Sequence, residues 1–145
     1  MGCHFRLASS EGAQIGLPEL DLGAVPAWGG SARLAKCVGE HHAMDMILRS
    51  KKISGKTALE IGLVHEVWPL IELKEAALRL ANELAAQPAH AVASMMRVLV
   101  NSSERSLKDL IGEERKAVKD NSGTKDSLEG MNAFLEKRKP IFNQD

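Results

Sequence analysis

The chain has 145 residues, 44% of them hydrophobic and 26% charged, a globular composition that excludes wholesale disorder. Lys plus Arg and Asp plus Glu number 19 each, so charge gives no case for a nucleic-acid partner or an anionic membrane surface. Aromatic residues are 3% and Tyr is absent, so a core must be built from Leu, Ile, Val, Ala and Met, which favours helices over sheets.

The first thirty residues are rich in Gly, Pro and Ser and read as short extended pieces and turns, with one short strand within Cys3 to Ser9. Such a segment needs strand neighbours for its backbone, and none is evident in this sequence. From Gly29 the pattern turns helical. One helix covers Ser31 to Val38 and stops at Gly39, and a second follows over His41 to Ser50. Ser54 caps a short helix that ends at Gly62, and Leu63 to Trp68 is a short strand or extended link before Pro69. Ile71 to Ala86 is amphipathic, Pro88 opens the next helix, and Ser106 to Lys119 follows. Thr124 caps a last helix that Pro140 ends, with Leu128, Met131, Phe134 and Leu135 directed inward.

No apolar stretch approaches the roughly 20 residues of a membrane span. No basic segment followed by an apolar one marks a secretory leader. Cys3 and Cys37 are too few for a disulfide scaffold, and a cytoplasmic location is expected.

Glu19 follows Pro18 among Leu17, Leu20 and Leu22. A carboxylate fixed by proline and flanked by apolar residues is a candidate general acid or base, although a solvated turn glutamate has the same sequence. Asp21 shares a face with it if the segment is extended. Ala27-Trp28-Gly29-Gly30 opens a helix, where free N–H groups suit an anion, a polarised carbonyl or a held water. There is no phosphate-binding GxGxxG or GxxxxGK[ST] and no GxSxG. His41 and His42 are adjacent and cannot pair on one helix face, so no metal site is expected. Lys137-Arg138-Lys139 suits a helix C-terminus, and a basic cluster there also suits a ligand phosphate.

These pieces resemble the C-terminal half of an enoyl-CoA hydratase/isomerase of the crotonase superfamily. Gly16-Leu-Pro-Glu-Leu-Asp-Leu-Gly-Ala-Val-Pro26 is similar to the family's active-site turn, Gly29-Gly30-Ser-Ala-Arg-Leu34 to its GG-x-x-R-L helix start, and Ala58-Leu-Glu-Ile-Gly-Leu-Val64 to its A-x-x-x-G-L-V signature. Cys3 to Ser9 resembles the strand after the family's second oxyanion-hole glycines, and Gly130 to Arg138 the last helix. The resemblance implies a crotonase-like α/β fragment, mainly helical, with a β-turn and strand remnant of the spiral core at its start. Residues 1–68 are then the last part of that core with the active-site turn, and residues 69–145 a helical oligomerisation region.

The resemblance further implies an acyl-CoA thioester as substrate, with coenzyme A part of it and no separate cofactor. Backbone N–H groups would hold an enolate, and two glutamates would add water across a 2,3-double bond or shift the bond. Glu19 matches the second of these glutamates. Ala27 stands where the family usually has Gly, with a backbone N–H that helps place the water. Trp28, where a small residue is usual, implies a reshaped acyl pocket. Phe134 and Lys137 match positions that reach a neighbouring subunit's coenzyme A site, and the helices imply a homo-trimer or hexamer. The oxyanion groups and the first glutamate lie before Cys3 in the family, so a truncated chain, inactive alone, is expected. A non-catalytic oligomerisation module is the alternative.

Overall fold

The computed structural model describes residues 1–100 and 102–144. In chain order the elements are strand β1 (Leu7–Ser9), a 3-10 turn (Glu19–Leu22), helix α1 (Gly30–Leu48), α2 (Gly55–Glu60), β2 (Glu66–Trp68), α3 (Leu70–Ala85), α4 (Ala89–Leu99), a second 3-10 turn (Ser102–Glu104), α5 (Leu107–Asn121) and α6 (Lys125–Glu136). They gather into two compact units, Met1–Arg79 and Leu80–Asp145, which divide within α3.

In the first unit β1 pairs in parallel with β2, from Leu7 opposite Glu66 to Ser9 opposite Trp68. The expectation that β1 has no strand partner in this sequence is therefore corrected. The extended link ahead of Pro69 returns beside it after a helical crossover, as parallel pairs require. Ile15 and Ile53 add an antiparallel bridge through bonds of 3.0 and 2.9 Å.

Gly39 (φ 79°) breaks α1 into the two helical stretches read from the sequence. Ser54 caps α2 by accepting the Thr57 N–H at 3.2 Å. Leu34, Ala43 and Met46 from α1, Ala58 from α2, and Ala8, Ile53, Leu63 and Val64 form the buried core, with Cys37 packed at its margin. Gly55 is forced by this packing: a Cβ there would sit far inside contact distance of the Ser9 carbonyl oxygen. Glu11 caps α3 from a distant loop, its carboxylate accepting the Leu70 N–H at 2.8 Å. That bond, with one from Ser10, lowers its pKa.

In the second unit α4 packs on α5 around the buried Ser94. Its hydroxyl oxygen accepts from Arg97 Nη2 at 2.9 Å and from Asn121 Nδ2 at 3.0 Å. Ser106 and Thr124 cap α5 and α6, each accepting the N–H three residues on at 3.2 Å. The last helix stops at Glu136 rather than at Pro140, because Lys137 takes a left-handed conformation (φ 56°) and its N–H returns to the carbonyls of Ala133 and Phe134. The tail then folds back. Arg138 forks onto Glu129 at 2.6 and 2.9 Å, and Asn143 Oδ1 accepts the Ala89 N–H at the start of α4 at 2.9 Å.

One expectation about α6 fails. Leu128, Met131, Phe134 and Leu135 are exposed, not inward, and Ala133 is the buried residue of that helix. On α5, Leu107 and Val118 are 73% and 72% exposed. An amphipathic stripe shows that a helix has an apolar face without showing that its own chain covers it. No helix of the described residues is long and apolar enough to cross a membrane.

Candidate functional site

Pro18 precedes Glu19 with φ −88° and ψ 22°, which starts a tight turn rather than an extended run. The Asp21 N–H bonds the Pro18 carbonyl at 3.1 Å. Gly23 (φ 68°) closes the turn, its N–H directed to the carbonyls of Glu19 and Leu20. At three residues per turn, Glu19 and Asp21 point apart. Asp21 is exposed, so the two carboxylates do not form a pair and the shared face expected for an extended segment is not there.

Glu19 itself is half-buried. Its Oε2 is shielded from water and has no hydrogen-bond partner. A buried acceptor left unmade costs about 1–3 kcal/mol. An oxygen left this way calls for an explanation, and a catalytic role is one of the few that account for it.

The segment leading into α1 is bent just as tightly. Ala27 is exposed, and its carbonyl accepts the Gly30 N–H at 3.0 Å. Trp28 has φ 58° and Gly29 φ 74°, so two consecutive residues are left-handed. For an L-residue that conformation costs about 1–2 kcal/mol. The Trp28 side chain is 96% exposed. Arg33, one turn into the helix, donates from Nη1 to the Trp28 carbonyl at 2.7 Å. In the sequence Arg33 stands out only as part of the GG-x-x-R-L run. A guanidinium that returns to a carbonyl five residues earlier leaves no periodic signal.

Glu19, Ala27 and Trp28 thus lie on successive turns of the first unit. Phe134 and Lys137 belong to the second, where Phe134 is 82% exposed on α6 and Lys137 is the left-handed residue that ends it. Of the basic cluster, Arg138 is engaged by Glu129 and by Glu136 at 2.6 Å. Together with the Ile141 N–H, it holds the Glu129 carboxyl down to about 2. No group of three or more metal-ligating side chains is present among the described residues.

Comparison with known proteins gives this arrangement its context. The chain is 38% identical over 143 residues to a protein of Bacillus subtilis (strain 168) named "Probable enoyl-CoA hydratase", covering 98% of this chain and 55% of that protein. It is 36% identical over 146 residues to the 2,3-dehydroadipyl-CoA hydratase of Escherichia coli (strain K12), covering 97% of this chain and 57% of that one. The crystal structure of an enoyl-CoA hydratase from Bacillus anthracis superposes with a TM-score of 0.90 at 34% identity, over 99% of this chain and 55% of that one. The chain therefore spans about half the length of the curated relatives it matches. The family model for enoyl-CoA hydratase/isomerase matches residues 1–145, and the chain belongs to that family, within the crotonase superfamily.

Proposed function

We propose that this chain supplies the C-terminal half of an acyl-CoA-binding enoyl-CoA hydratase/isomerase. The observation that carries the reading is the shielded, unpartnered carboxylate oxygen of Glu19 on a turn fixed by Pro18 and Gly23. Held there, Glu19 relays a proton between a water molecule and the substrate's 2,3-double bond, or from one carbon to another in a bond shift. The Ala27 N–H helps place the water, and the exposed Trp28 ring shapes the acyl end of the site. The enolate's oxyanion donors and the first glutamate come from the remainder of the enzyme. The thioester brings its own coenzyme A, so no separate cofactor is required, and the reaction belongs in the cytoplasm.

Residues 69–145 form the assembly region of this proposal. The exposed apolar residues of α5 and α6 pack between copies in a trimer or a hexamer, where Phe134 and Lys137 meet a neighbouring subunit's coenzyme A. Burying one Leu or Val contributes about 1.5–3 kcal/mol, so a few per contact suffice. Light scattering after size exclusion is expected to give a trimer or a multiple of it. Leu107→Asp with Val118→Asp, both on exposed positions, is expected to release folded monomer. A wild-type chain that is monomeric and folded by circular dichroism contradicts the assembly.

The same exposed faces favour a second reading, a non-catalytic oligomerisation module. Turnover decides between them. The 145-residue chain alone is expected to show no hydration of a short 2-enoyl-CoA, since each missing oxyanion donor costs on the order of 10²–10³-fold. A chimera that adds the unmatched part of the Bacillus subtilis relative is expected to hydrate it. A folded chimera without turnover supports the module, and ordinary hydratase rates from the chain alone contradict the division of the site.

A further inference from the structure

Arg33 and the turn it touches form a unit whose parts are unusual separately. Trp28 is a bulky residue at positive φ, where such residues are rare. Its carbonyl receives the Arg33 guanidinium at 2.7 Å, and the Gly29 carbonyl accepts the Arg33 backbone N–H at 3.0 Å. The same guanidinium lies so close over Gly29 that a Cβ there would stand 2.8 Å from Nη1. Beyond this turn, Gly30 faces the Leu17 side chain, with room for a Cβ only at 3.4 Å from one of its methyls. Leu17 immediately precedes Pro18 and Glu19.

We propose that Arg33 is a positioning residue that holds the Trp28–Gly29 turn in its left-handed form and thereby sets the packing of Gly30 on Leu17, the seat of the Glu19 turn. The charged guanidinium on the Trp28 carbonyl and the neutral backbone N–H on the Gly29 carbonyl together fix the two carbonyls on which the turn hinges. Left to itself, Trp28 relaxes toward negative φ, Gly30 rotates away from Leu17, and the Glu19 turn loses its support. The proposal rests on the reading of Glu19 as the proton-handling group only for its catalytic meaning. The test reads conformation, so a failed activity assay and a failed clamp are told apart.

The experiment is NMR of the full 145-residue chain. Positive φ brings a residue's own amide and α protons close, so Trp28 is expected to give a strong intraresidue cross-peak, with a second cross-peak between Leu17 methyls and Gly30 α protons. In Arg33→Met both are expected to fall several-fold. Arg33→Lys, which keeps a donor of similar reach, is expected to retain most of each. The deciding variant is Trp28→Gly combined with Arg33→Met. Glycine holds positive φ without help, so the Leu17–Gly30 cross-peak is expected to return. Persistence of both cross-peaks in a folded Arg33→Met chain overturns the clamp. Failure of the Trp28→Gly combination to restore the second cross-peak, in a chain whose other resonances are native-like, overturns the claim that Arg33 acts by holding Trp28.

Discussion

Glu19→Gln in the chimera is expected to lower kcat by about 10²–10⁴-fold, the usual worth of a positioned proton carrier, with KM almost unchanged. Gln keeps the length, the shape and one acceptor oxygen of Glu, so the turn between Pro18 and Gly23 retains its form. What it loses is the ability to take up and return a proton. A contribution made only in the transition state appears in kcat and in kcat/KM equally, whereas a lost binding contact appears in KM. The variant also replaces a carboxylate that has one shielded, unpartnered oxygen with a neutral amide of the same shape, and stability is expected to stay within about 1 kcal/mol of the parent. Steady-state kinetics beside a thermal melt separate the two effects. A kcat within about threefold of the parent, where proton transfer is worth at least ~10²-fold, would make Glu19 a structural turn residue and end the catalytic reading.

Gly55→Ala carries the largest expected stability effect. In most first-turn helical positions this exchange is favourable, because Ala is the better helix former by about 0.8–1 kcal/mol. Here the added methyl meets the Ser9 carbonyl oxygen at the end of β1 and comes within 3.5 Å of the Ala8 Cβ. A carbonyl tied into a strand cannot swing aside as a lysine tip can, so β1 and α2 must separate. Overpacking of this kind costs about 3 kcal/mol, the upper part of its ordinary range, which lowers the melting temperature of the first unit, Met1–Arg79, by about 12–24 °C. Ser54→Ala, one residue earlier, removes only a cap and is expected to cost about 1 kcal/mol. Guanidinium or thermal unfolding followed by circular dichroism measures both. Equal losses from the two variants would mean that the contact between Ser9 and Gly55 relaxes freely.

What the sequence made legible was local. Ser54, Ser106 and Thr124 each cap a helix by bonding the N–H three residues on, a pattern contained within four residues. Gly39 and Pro88 mark breaks for reasons contained in one residue. Glu19 was legible as a candidate by its neighbours, but its 3-10 turn was not, since proline's φ suits both an extended segment and a turn. The groups that reach across the chain left no trace. Glu11 caps α3 from 59 residues away and Asn143 caps α4 from 54 residues away, and nothing around either residue signals a helix end. The outward Leu107, Val118 and Phe134 belong to the same class, because hydrophobic period reports that a face exists and is silent on what meets it.

The parallel pairing of β1 with β2 has a consequence for synthesis. Arg6 and His65, which bond across the start of the pair, are 59 residues apart. A ribosome adding about 5–20 residues per second therefore leaves Leu7, Ala8 and Ser9 without their partner for roughly 3–12 s at that speed. Throughout that interval α1 and α2 are emerging with Leu34, Met46 and Ala58, which share the buried core with Ala8. The strand is thus best sheltered by helices that come after it, and rare codons placed between positions 9 and 66 would lengthen its exposure to other nascent chains.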